Sequence, residues 1–128
     1  MMIASLALSV AALPGAHCAN PSTQTEMTFC AYDSFRRADE ALNAQWKIAL
    51  VFNKKVDRDD PVPGPRDIRY ADALLAAQRA WIAYRDAQCA VEGQAMRGGT
   101  GEPMIVYNCK AAMTRERTKW LAKMSQTN

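Results

Sequence analysis

The chain has 128 residues, room for one domain with a single modest core. Its apolar fraction of 49% and charged fraction of 23% exclude a disordered chain. The net charge is only +3, and acids alternate with bases at Arg36, Arg37, Asp39 and Glu40 and again at Asp57, Arg58, Asp59 and Asp60. That excludes the clustered basic surface of a nucleic-acid binder.

Residues 1–16 carry no charge and are dominated by Ala, Leu, Ile and Val. The apolar stretch is too short for a transmembrane helix and suits the hydrophobic region of a secretory signal, ended by Pro14-Gly15. No Lys or Arg follows Met1, the one signal feature that is missing. We therefore divide the chain into a signal peptide, 1–17, and a mature helical domain, 18–128. A lipid anchor at Cys18 is disfavoured, because His17 is a poor residue to precede a lipidated cysteine.

The first helix is expected from about Pro21 to Val56, with capping-box spacing between Thr23 and Glu26. Met27, Cys30/Ala31, Phe35, Ala38, Leu42, Gln45, Ile48/Ala49 and Phe52 are expected to form its apolar face, rich in alanines that let a neighbour approach closely. Residues 57–65, DRDDPVPGP, cannot continue a helix. Their acids lack the alternating ligands and closing Glu of a calcium loop, so a solvated turn is expected.

The second helix is expected over 66–97, and its segment 74–89, LLAAQRAWIAYRDAQC, is the most informative in the chain. Leu75, Ile82, Cys89 and Met96 recur every seven residues with Leu74 and Trp81 beside them, which predicts one broad apolar stripe. Gln78 and Arg85 fall inside that stripe. A buried polar group is costly unless hydrogen-bonded, so both must be paired, partly exposed or functional. Arg85 is expected to pair with Asp39 or Glu40 or to cap a carbonyl, and Trp81 to belong to the core. Asp86 is expected in a surface or helix–helix salt bridge. Gln78, Trp81, Arg85 and Asp86 form the candidate polar cluster.

Gly98 suits a left-handed helix C-cap, and the third helix follows over 102–124. A glycine loop can cradle an anion, but no strand precedes this one and no Lys sits in the motif position. The expectation is an all-α fold, a three-helix antiparallel bundle stapled by two disulfides.

Four cysteines in an exported chain read as two disulfides. A hairpin of the second and third helices turning at Gly99 places Cys89 and Cys109 each ten residues from the turn, which favours a Cys89–Cys109 bridge. Cys18 and Cys30 then pair by elimination. A hairpin of the first two helices centred near Pro61 sets Cys30 level with Glu92, within a turn of Cys89, so crossed pairings stay open. No metal site or other cofactor is expected: no C-x-x-C pair occurs, and His17 is the single histidine. For the same reasons no catalytic residues are expected. No Ser-His or Cys-His system is available, and Asp86 and Glu92 have no second acid at one-face spacing.

Several motifs now taken together resemble a known family. They are Thr23-Gln24-x-Glu26-Met27, Ala38-Asp39-x-x-Leu42-Asn43, Ala77-Gln78-Arg79-Ala80-Trp81, Tyr84-Arg85-Asp86-Ala87-x-Cys89, Pro103-Met104 and Thr114-x-x-Arg117, with the four cysteines. They look like the small secreted bacterial domain named after the lysozyme-inhibitor lipoprotein LprI, over nearly the whole mature chain. Trp46, where a tyrosine is common, and the proline-rich 57–65 loop depart from the pattern. The resemblance implies a helical, cysteine-paired periplasmic or secreted protein of the cell envelope that binds and inhibits lysozyme. The alternative is a non-catalytic interaction or stress-response module with another envelope partner.

Overall fold

The computed structural model describes residues 18–126, except 62 and 65. The expected signal peptide, 1–17, lies outside the described residues. Among the described residues there are three helices: α1, Gln24–Asp59; α2, Tyr70–Gly93; and α3, Glu102–Met124. A single 3-10 turn, Gln94–Met96, follows α2. Among the described residues there is no strand, and no helix is long and apolar enough to cross a membrane.

Each helix end has a local cause. Thr23 caps α1, its Oγ1 accepting from the Glu26 backbone N–H at 3.1 Å. The Glu26 carboxylate accepts in return from the N–H and hydroxyl of Ser22, so the reciprocal half of the capping box reaches one residue further out than expected. Pro21 lies before the helix rather than in its first turn. The start of α2 falls at Tyr70, four residues beyond the expected Arg66, because its cap comes from another helix. The Asp57 carboxylate, in the last turn of α1, accepts from Tyr70 N–H at 2.7 Å and Ala71 N–H at 3.0 Å. At its far end the helix tightens into the 3-10 turn before the expected Arg97. Gly93 is buried there with Val106 so close that a Cβ would come within 2.7 Å of its methyl group. Gly98 then reverses the chain in the left-handed region, with φ +76°.

Cross-helix contacts give the directions. Cys89 bonds Cys109, Arg85 meets Thr114 and Gln78 meets Arg117, so α2 and α3 run antiparallel. Gln24 meets Met104, Ser34 meets Arg115 and Asn53 meets Met124, so α1 and α3 run parallel. The packing of α3 along α1 is the most extensive in the bundle. Small buried residues (Ala31, Ala38, Ala49 and Ala111) let these two helices approach. Leu42, Ala49, Leu74 and Leu121 form the apolar centre, with Trp46, Trp81 and Met124 against it. The disulfides are Cys18–Cys30 and Cys89–Cys109, with Cα separations of 5.4 and 5.5 Å. The crossed pairings are thereby excluded, and a Cys18 sulfur held in a disulfide is not free to carry a thioether-linked lipid.

Candidate functional site

The buried line of α2 runs through Leu74, Gln78, Arg85, Cys89 and Gly93. This corrects the expected stripe. Leu75, Ile82 and Met96 are exposed large apolar residues, because the helix is turned by about one residue so that its polar positions face the bundle. That rotation puts Gln78 and Arg85, each only 7% exposed, where the seven-residue pattern placed leucine and isoleucine.

The Arg85 guanidinium lies between two aromatic rings, 5.1 Å from the Phe35 centroid and 5.2 Å from that of Trp81. A planar, weakly hydrated cation tolerates such a position, each face meeting the negative face of a ring. The stack continues in both directions. Lys110 Nζ is 5.7 Å from the Phe35 centroid, and the Arg117 guanidinium lies 5.7 Å from the Trp81 centroid and 4.5 Å from that of Trp120. Three cations therefore alternate with three rings along the seam between α2 and its neighbours.

Hydrogen bonds fix the order of this stack. Arg85 Nε donates to Asp86 Oδ1 at 2.9 Å, and Nη1 donates to Thr114 Oγ1 at 3.3 Å. Asp39 is the α1 carboxylate near Arg85, at 3.8 Å from Nη1; Glu40 is engaged instead by Arg36. Asp86 also faces Lys110 across the α2–α3 boundary at 3.7 Å. Arg117 Nε donates to Gln78 Oε1 at 2.9 Å. Burial lowers the pKa of Arg117 below the usual guanidinium range, and its Nη2 is buried without a hydrogen-bond partner among the described residues.

All four members of the candidate cluster thus belong to one seam, Trp81 half-buried within it and Asp86 at its solvent edge. Sequence reasoning missed Phe35, Lys110, Thr114, Arg117 and Trp120 as their partners. The signal was present: the hairpin register that sets Cys89 against Cys109 also sets Arg85 level with Thr114.

Two recesses open beside this framework. One lies between α1 and α2, about 230 Å³, walled by residues that include Asp39, Trp46, Gln78, Arg79 and Arg85. The other, about 620 Å³, is an aromatic shelf formed by Phe29, Tyr32 and Tyr107 with Gln24, Thr28 and Thr100 at its rim. Tyr32 meets Tyr107 edge-on at 5.3 Å and is 45% exposed. No charged residue lines this shelf. By contrast, the acids of the expected 57–65 loop are largely committed, and α1 continues through Asp59, three residues beyond the expected Val56, so the loop begins only at Asp60. Asp57 caps α2, and Asp59 is held below the ordinary carboxylate range by its hydrogen bond from Lys55. The arrangement suits non-covalent contact.

Comparison with known proteins adds three findings. A family model described as lysozyme inhibitor LprI matches residues 16–121. An uncharacterized protein of Rhizobium meliloti (strain 1021) is 38% identical over 117 residues, covering 89% of this chain and 82% of that protein. No solved structure matches.

Proposed function

The chain belongs to the lysozyme inhibitor LprI family, and on that premise we infer that it is an exported, non-catalytic protein of the cell envelope that inhibits lysozyme by direct contact. The family match over 16–121 carries this reading. Export is supported by the two disulfides, which persist in oxidising compartments, and by the uncharged apolar stretch at 1–16.

The contact surface follows from electrostatics. C-type lysozymes are strongly basic and this chain is itself net positive, so long-range steering does not favour the encounter. An acidic docking loop would overcome that, but Asp57 and Asp59 already have internal partners. The aromatic shelf of Phe29, Tyr32 and Tyr107 remains as the charge-free surface. Interface cores are enriched in aromatics and depleted of charge, and an uncharged contact between two basic proteins avoids repulsion. On this reading the Gly98–Gly101 turn matters because it presents Thr100 at the shelf's rim.

Titration calorimetry of the disulfide-intact protein against a c-type lysozyme tests the assignment. Tyr32→Ala and Thr100→Arg should each weaken binding by about tenfold or more, with the helical circular dichroism unchanged. Asp60→Ala, in the acidic loop, should change it by less than about twofold. Equal affinity for the wild type and both shelf variants would remove the shelf from the interface.

A further inference from the structure

The recess between α1 and α2 is lined by two nearly buried polar side chains that the bundle holds in place while leaving each a nitrogen uncommitted. Gln78 and Arg85 are both more than nine-tenths buried, and both line it. Each is only half satisfied. Gln78 uses Oε1 to accept from Arg117, which leaves its Nε2 without an acceptor among the described residues. Arg85 donates through Nε and Nη1, which leaves Nη2 without one. Neither nitrogen is a buried orphan, the buried side-chain nitrogen without a partner among the described residues being Arg117 Nη2, so both are open to an acceptor that enters the groove. Arg79 stands on the same wall, one helical position along from Gln78.

We propose that this groove binds the terminal carboxylate of a small apolar α-amino acid residue. Three donor groups, the Gln78 amide and the guanidinium groups of Arg79 and Arg85, converge on one wall, and a planar guanidinium held by two rings is pre-organised for a carboxylate. Asp39 lines the same groove and sits 3.8 Å from Arg85, placed to accept from the ammonium or peptide N–H that accompanies an α-carboxylate. Trp46, Leu75 and Ile82 supply an apolar wall for the side chain, and Leu75 and Ile82 are exposed without it. The volume of about 230 Å³ lies below the ~300–1,000 Å³ of drug-sized sites, so one residue fits and a folded partner's surface does not. This groove shares no lining residue with the aromatic shelf, so the proposal stands apart from the lysozyme reading.

A nitrogen–proton NMR titration of the disulfide-intact protein tests it, following the Trp46 indole and the Gln78 and Arg85 side-chain resonances. The probes are leucine, alanyl-leucine, N-acetyl-leucine and alanyl-leucinamide. Binding to at least one of the free carboxylates is expected with Kd on the order of 0.1–1 mM, and the amide should bind at least tenfold more weakly. Binding of leucine but not N-acetyl-leucine assigns a free amino acid. Binding of alanyl-leucine and N-acetyl-leucine assigns a peptide C-terminus. Arg85→Met should abolish the shifts. Arg79→Glu, at an exposed position that does not endanger folding, should weaken binding at least tenfold. Equal binding of the amide, shifts that persist in Arg79→Glu, or no shift with any probe at 20-fold the expected Kd would each overturn the proposal.

Discussion

Arg85 shows how a buried charge is kept at modest cost. Its carboxylate neighbours Asp39 and Asp86 are themselves about half exposed, so they remain hydrated whether or not the guanidinium is present. The usual penalty for orphaning a partner therefore falls lightly on the two carboxylates and chiefly on the fully buried Thr114 hydroxyl, which accepts from Nη1. Arg85→Met, which keeps volume between the Phe35 and Trp81 rings but takes the donor from the buried Thr114 hydroxyl, should cost about 1–2 kcal/mol. Arg85→Ala opens a cavity between those rings and should cost about 2–4 kcal/mol. Urea denaturation with the disulfides intact measures both. A second residue sets part of the acid limb of stability. The hydrogen bond from Arg36 holds the Asp33 carboxyl below its ordinary pKa; burial opposes it, and the charges of Arg37 and Arg36 add to the lowering. A carboxylate with a depressed folded pKa contributes stability above its unfolded value of about 4, lost as pH falls through the folded value. The gap in Tm between wild type and Asp33→Asn should therefore be widest near neutrality and close as pH falls from about 5 to about 2.

At the scale of the elements, the first turn of α2 depends on a residue in α1. The N-cap position, Arg69, makes no side-chain cap, and the two orphan N–H groups of Tyr70 and Ala71 are satisfied by Asp57 alone. Asp57→Ala should cost about 1–2 kcal/mol, and Asp57→Asn, with one acceptor left, about half as much. Hydrogen exchange at the Tyr70 and Ala71 amides should speed in both variants. This is also why the start of α2 was misread from the chain by four residues: a cap supplied from thirteen positions away leaves no local signature. The ends set by local chemistry were legible, namely the Thr23 cap and the Gly98 reversal. The rotation of α2 was not. A seven-residue repeat of apolar side chains and a line of Gln78, Arg85 and Cys89 lie within one helical position of each other, and periodicity alone does not say which will face the neighbours. What decided it was the partners on α1 and α3, Phe35, Thr114 and Arg117, which offer rings and hydrogen bonds to polar groups.

For the molecule as a whole, three helices and their directions followed from the pattern of apolar residues, and the spacing of cysteines about Gly99 favoured Cys89–Cys109, while the choice against crossed pairings came from the structure. The four candidate residues were legible for the same reason, as polar groups on an apolar line. Neither surface recess was, because each is assembled from helices far apart in sequence: Tyr32 with Tyr107 in one, Asp39 with Arg85 in the other. On the function proposed above, the disulfide-stapled bundle carries a charge-free contact surface. The most direct measurement is the rate at which a c-type lysozyme clears a cell-wall suspension, with increasing amounts of the oxidised protein present. Dose-dependent protection that persists in moderate salt, as expected of a contact that does not rely on steering, is the predicted result. Clearing at an unchanged rate in the presence of a large molar excess of the protein would contradict it.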